Sequence, residues 1–168
     1  SQVDDQTVAI LVEPIQGESG VIVPDKSYFQ LLRQVCDAHD LLLICDEVWT
    51  GCGRTGRYFA HQHWNIEPDI MTLAKALGGG VPIGAFLAKE SACAFEPGDH
   101  GSTFGGNALT CAAAYASTKY ILDNRVVDHG RDMGKYLEQE LNIIKGNHEF
   151  IVEVRGMGLL WALQFNSD

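Results

Sequence analysis

The sequence has no surplus of positive charge, no long apolar stretch and no paired cysteine motif, and each lack removes a class of protein. Against 22 Asp and Glu stand only 12 Lys and Arg, a formal net charge of -10, so a nucleic-acid partner has no electrostatic footprint to rest on. That acidity serves solubility at least as readily as it steers a cationic substrate. No apolar run approaches a membrane span, and no signal peptide is recognisable. The five cysteines (Cys36, Cys45, Cys52, Cys93 and Cys111) form an odd set without a Cys-x-x-Cys pair, which favours a reducing compartment over a disulfide framework. His61 and His63 have no cysteine or acid at zinc-like spacing, so no metal is expected. The triple glycine lacks the Gly-Lys-Ser/Thr of a nucleotide-binding P-loop, and there is no Gly-x-Ser-x-Gly elbow.

What is present is an ordinary globular α/β composition. With 46% hydrophobic and 20% charged residues over 168 positions, the chain can bury a core and holds one domain, or one and the beginning of another. Residues 1–7 carry no initiating Met, and a buried-looking strand follows almost at once; the sequence reads as an excerpt of a longer protein. Apolar runs predict strands over 8–12, 41–45, 69–73 and 85–88. A helix is expected over 27–39, where Phe29, Leu32, Val35 and Cys36 recur at helical spacing after Pro24-Asp25. A small-residue helix over 108–122 and an amphipathic one over 126–144 follow, then two short strands over 150–154 and 159–165. Strand, helix, strand in the first half points to βαβ units and a mostly parallel sheet. The long helix links to a second, smaller α+β unit.

In open α/β sheets ligands gather at the carboxyl ends of the strands. Three ionisable residues fall there: Glu13, Asp46 and Lys75. Each alone is weak, since an acid after a strand is commonly a cap or a loop ligand and a lysine there is usually a solvated end. Lys75, however, stands between an apolar run and a glycine turn, where its ammonium need not face open water. Desolvation makes a lysine a better amine nucleophile. An acid and a lysine facing one crevice are what a pyridine aldehyde cofactor needs. The carboxylate keeps the ring nitrogen protonated while the amine holds the aldehyde.

Five strings occur in order: Glu13-Pro14-Ile15-Gln16-Gly17-Glu18, Cys45-Asp46-Glu47-Val48, Gly53-Arg54-Thr55-Gly56, Leu73-Ala74-Lys75-Ala76-Leu77-Gly78-Gly79-Gly80 and His100-Gly101-Ser102-Thr103-Phe104-Gly105-Gly106-Asn107. Together they closely resemble the class III aminotransferases that depend on pyridoxal 5'-phosphate (PLP), from about residue 8 to residue 165. The resemblance implies a fold type I PLP-dependent transferase, with 1–124 as part of the large domain and 125–168 as a linking helix and the start of a small domain. It makes Lys75 the Schiff-base lysine and proton shuttle, and pairs Asp46 with the pyridine nitrogen. Val48 would pack on one ring face. Ser102 and Thr103 would reach the cofactor phosphate of the neighbouring subunit of a homodimer; taken by themselves they read as a polar turn in a glycine-rich loop. Glu18 matches the family glutamate that pairs with a substrate-site arginine and swings aside for the second substrate; Glu13 is placed near the same site.

One position departs from the family. Where it usually has a Gln that bonds the cofactor's phenolic oxygen, this chain has Trp49, whose indole can donate one hydrogen bond and accept none. Either the indole N–H replaces the amide, or the ring turns away. Cys52 is read as packing, and Arg155-Gly156-Met157-Gly158, which recurs in the family, as structural. Members of the family are normally more than twice as long, so the resemblance leads one to expect a phosphate cup and ring-stacking aromatic upstream and a substrate-site arginine downstream.

The expected activity is transfer of an amino group from an ω-amino acid to 2-oxoglutarate. The string Gly78-Gly79-Gly80-Val81-Pro82-Ile83-Gly84-Ala85 looks most like the acetylornithine branch, in arginine biosynthesis. Ornithine or 4-aminobutyrate aminotransferase, and an aminomutase or decarboxylase of the same fold, are the alternatives. A truncated fragment without catalysis is the reading outside enzymes. A cytoplasmic location is expected, or a mitochondrial one if the source is eukaryotic.

Overall fold

The computed structural model describes residues 3–166. Strands β1 (Ala9–Val12), β2 (Leu42–Asp46), β3 (Ile70–Leu73) and β4 (Ala85–Ala88) form one sheet in the order β1-β2-β3-β4. The first three run parallel and β4 closes the edge antiparallel to β3. The β1–β2 connection is α1 (Tyr28–His39), which buries Phe29 and Cys36 of the stripe predicted for it. Asp40 ends it in the left-handed region, at φ 55, and returns its N–H to Cys36 O.

A partly buried ion pair joins these layers. Arg33 of α1 meets Asp69, just before β3, at 2.7 Å, and Asp69 also accepts the Leu43 N–H of β2 at 2.9 Å. Burial raises the Asp69 carboxyl, but the bonds from Leu43 and Arg33 together hold it below its ordinary value.

Helices α2 (Ala108–Asp123) and α3 (Val126–Asn147) follow, with the Asn107 side chain accepting the Thr110 N–H at the start of α2. The chain turns between them at Arg125, φ 54. Then β5 (Ile151–Met157) and β6 (Leu160–Phe165) pair as an antiparallel hairpin, with Met157 opposite Leu160. The strand expected over 150–154 runs three residues further, because the turn is only Gly158 and Leu159. The hairpin is not separate from the rest: Leu160 enters the core formed by Ile15, Val21, Phe29, Cys45 and Trp64.

Candidate active site

The two residues that bore the most chemistry in the sequence lie at the carboxyl ends of adjacent parallel strands. Asp46 closes β2, and the register sets it opposite Thr72 of β3. Its Oδ1 accepts the Thr72 Oγ1–H at 3.0 Å and the Val48 N–H at 2.9 Å. Its Oδ2 makes no hydrogen bond among the described residues. One carboxylate oxygen is thus fixed and the other left open, as a carboxylate oriented to receive a further N–H should be.

Lys75 follows β3 at φ 44, in the left-handed region, where a residue with a Cβ costs about 1–3 kcal/mol and is found mostly at functional sites. The desolvated position expected for it is not what this chain alone provides. Lys75 is exposed, because β3 has ended and the Lys75–Gly78 turn lies at the surface. Its Nζ stands 4.1 Å from the centroid of the Trp49 ring, a distance at which the π face attracts an ammonium. A cavity of about 720 Å³ opens on Lys75, walled by residues 80–84 and 104–106. Asp46 and Trp49 do not line it.

Trp49 is itself seated by Gly17. A Cβ at that glycine would lie 2.8 Å from Trp49 Cδ2 and 2.9 Å from Cγ, so only glycine lets the turn approach the indole. The Gly17 N–H donates to Glu13 Oε2 at 3.0 Å. Glu13 is therefore engaged in closing its own turn. Glu18 is exposed on the same turn. Ser102 and Thr103 are exposed and outside the cavity lining. The Ser102 hydroxyl accepts the Gly105 N–H at 2.9 Å, a local polar turn. The structure thus groups Asp46, Val48, Trp49, Lys75 and the Glu13–Glu18 turn, while among the described residues no hydrogen bond joins residues 102 and 103 to that group.

Glu47 is the residue that sequence reasoning missed. It is 1% exposed and holds four donors: the Thr50 hydroxyl, the Ala60 N–H at 2.9 Å, the His61 N–H at 2.9 Å and His61 Nδ1 at 3.0 Å. Burial pushes its carboxyl up, but the bonds from His61, Thr50 and the backbone outweigh burial and hold it below its ordinary value. The signal for it was the succession Asp46-Glu47, since neighbouring residues of an extended chain face opposite ways. One acid faces the crevice and the next the interior. Burial, with the Glu47 charge nearby, pushes the Cys45 thiol up to about 12, as suits an unreactive packing residue.

These residues suit a pyridine aldehyde: a primary amine beside an aromatic face, and a carboxylate with one oxygen free. Against known proteins, a family model described as Aminotransferase class-III matches residues 1–168. Acetylornithine aminotransferase of Gloeobacter violaceus is 51% identical over 164 residues, which are 97% of this chain and 41% of that protein. The ornithine aminotransferase from Toxoplasma gondii, described with partial occupancy of PLP at its active site, superposes with a TM-score of 0.91 at 41% identity, over 95% of this chain and 38% of that one. Acetylornithine aminotransferase from Elizabethkingia anophelis gives 0.89 at 41% identity, over 95% and 40%. The chain spans about two fifths of the length of the curated relatives it matches.

Proposed function

This chain belongs to the class-III aminotransferases and has the fold of the type I PLP-dependent enzymes, and on that premise we propose that it carries the cofactor-attachment half of an acetylornithine-type aminotransferase. The reaction moves an amino group from an ω-amino acid, N-acetylornithine by preference, to 2-oxoglutarate. The observation that carries this reading is the pair of strand ends, with Asp46 fixed by Thr72 beside the strand that delivers Lys75.

When bound, PLP supplies a protonated pyridine ring into which the electrons of a breaking C–H bond can flow. Asp46 Oδ2 would hold the proton on the ring nitrogen, because an ionised partner favours the charged ring. Lys75 Nζ would be the amine that takes the aldehyde carbon and moves the proton at the substrate carbon. Val48 would pack on the ring. Trp49 offers its indole face to the Lys75 ammonium, and its N–H would be the donor for the phenolic oxygen. Glu18, and Glu13 behind it, serve the substrate end.

Residues 1–124 form part of the large domain and 125–168 the linking helix and start of the small one, a division that the sharp turn at Arg125 supports. The protein works as a homodimer in which Ser102 and Thr103 serve the neighbouring site. The exposure of both, and of Leu109, Tyr115 and Leu122 on α2, supports this. All five cysteines are free thiols, which suits a cytoplasmic setting. No helix among the described residues is long and apolar enough to cross a membrane.

The test adds PLP to the intact protein, fixes it with borohydride and maps the modified peptide by mass spectrometry. Attachment at Lys75, with loss of the visible band in Lys75→Ala, is expected. No adduct at Lys75 would sink the reading. A panel of amino donors then decides between N-acetylornithine and ornithine, the alternative that the likeness to the Toxoplasma enzyme supports.

A further inference from the structure

The turn that carries Glu18 is built to be held from outside. Gln16 and Ile22 pair across its base, with N–H to O distances of 3.1 and 3.0 Å. Inside that base, Val21 N–H reaches Gly17 O at 3.2 Å, and Val21 takes φ 56 and Gly20 φ 102. A β-branched residue in the left-handed region is strained, so the turn needs anchors. One is the Trp49 ring packed against Gly17.

The other anchor comes from the far end of the chain. Arg155 of β5 donates its Nε–H to Gly20 O at 2.7 Å, across 135 residues of sequence. The guanidinium is aimed by the hairpin itself. Its Nη1 donates to Glu153 Oε2 at 2.6 Å and to Gln164 Oε1 at 2.5 Å, and Glu153 and Gln164 face each other in the β5–β6 register. The Arg155 side chain is 20% exposed. A Cβ at Gly20 would lie 2.9 Å from Arg155 Nη2, so the glycine leaves just enough room for the guanidinium to reach the carbonyl. The fork geometry matters, because a lysine ammonium is a point donor and cannot serve the hairpin acceptors and the turn from one rigid plane.

We infer that Arg155 is a positioning residue for substrate handling: it clamps the Gly17–Val21 turn between the β5–β6 hairpin and Trp49, and so fixes the turn that carries Glu18 against the indole that faces Lys75. The inference rests on the proposed role of Glu18 toward substrate. The hairpin and the crevice are thereby one mechanical unit, and a shift of β5 is passed to the turn through the Arg155–Gly20 hydrogen bond as well as through the core that Leu160 shares with Val21.

The test compares Arg155→Ala and Arg155→Lys with the parent in the intact protein, using two readouts. A glutamyl-specific protease measures how often the turn opens, by the rate of cutting after Glu18, and it needs neither cofactor nor turnover. Steady-state kinetics with PLP bound separate KM from kcat. Both variants should be cut after Glu18 about tenfold faster, since loss of one charge-assisted hydrogen bond is worth about that factor. Arg155→Ala should raise KM for an amino donor or oxo acceptor about tenfold while kcat changes less than about threefold. In a Glu18→Ala background the further effect of Arg155→Ala on KM should nearly vanish, because the two act through one turn.

The clamp is overturned if cutting after Glu18 stays within about twofold of the parent, or if the KM effect persists in full without Glu18. Should Arg155→Ala not fold, Arg155→Lys carries both readouts. Failure of PLP to attach at Lys75 counts against the proposed function, and the proteolysis rates then decide the clamp by themselves.

Discussion

Two loops flank Lys75, and they are held in opposite ways. The segment after β2, residues 47–61, is organised from inside by one buried carboxylate with four donors. The segment before α2, residues 97–107, is exposed throughout, and its hydrogen bonds are short-range turns: Glu96 N–H to Asp99, Gly105 N–H to Ser102, Asn107 to Phe104 O. The first loop reaches its geometry within this chain. The second has the composition of a ligand loop, and among the described residues its hydrogen bonds reach no further than the first turn of α2. Under the proposed homodimer, cofactor orientation and phosphate contact would be divided, the ring end held by one chain and the phosphate end by the loop of its partner.

The sharpest way to break the contrast is at Glu47. Glu47→Ala strands the Thr50 hydroxyl, two backbone N–H groups and the His61 ring in the interior, and should cost on the order of 3–5 kcal/mol, read as the loss in denaturant midpoint. Glu47→Gln keeps the shape and should cost less. The pH dependence follows from the direction of the shift. A carboxyl held below its ordinary value in the fold contributes stability that is present above the unfolded-state pKa and lost as pH falls through the lower folded value. The parent should therefore lose stability on acidification through and below the usual carboxylate range, and Glu47→Gln should show a flatter profile there. An unchanged profile would show that Glu47 is not the group that titrates.

Much of this was legible in the sequence because it depends on period and position. The helices over 27–39 and 126–144 and the strands at 41–45, 69–73 and 85–88 follow from apolar spacing, and the structure places each within a few residues. Asp46 and Lys75 were visible as strand ends. Glu47 was missed although its place next to Asp46 sets it on the opposite face, because the donors that make an inward acid tenable come from residues 50, 60 and 61. Arg155 was read from its motif as structural, but its acceptor, lying 135 residues away, was hidden. The exposure of Lys75 was misjudged because flanking apolar residues do not by themselves cover a side chain that leaves the end of a strand.

A smaller effect separates Gly17, which packs against Trp49 of the first loop, from a glycine of the second. Gly17→Ala would drive a Cβ to 2.8 Å from the Trp49 ring and should cost about 1–3 kcal/mol as the indole or the turn gives way. It should also move the ring from under Lys75, changing tryptophan emission. Gly101→Ala, with nothing within 4 Å of its Cβ, should stay within about 0.5 kcal/mol of the parent. Equal melting shifts for the two would mean that Gly17 is not packed against Trp49 in solution.

The smallest stability change and the clearest functional one should coincide at Thr103. The residue is exposed, and no hydrogen bond among the described residues uses its hydroxyl, so Thr103→Ala should melt within about 0.5 kcal/mol of the parent. If the hydroxyl serves a phosphate across a dimer, the same variant should lose PLP about tenfold faster on dialysis, as removal of a hydrogen bond to a charged group implies. Asp46→Asn is the control, since it weakens the ring end without touching the loop. A Thr103→Ala protein that keeps its cofactor as long as the parent would assign the loop to shape alone, and the division of ring and phosphate between two chains would fall with it.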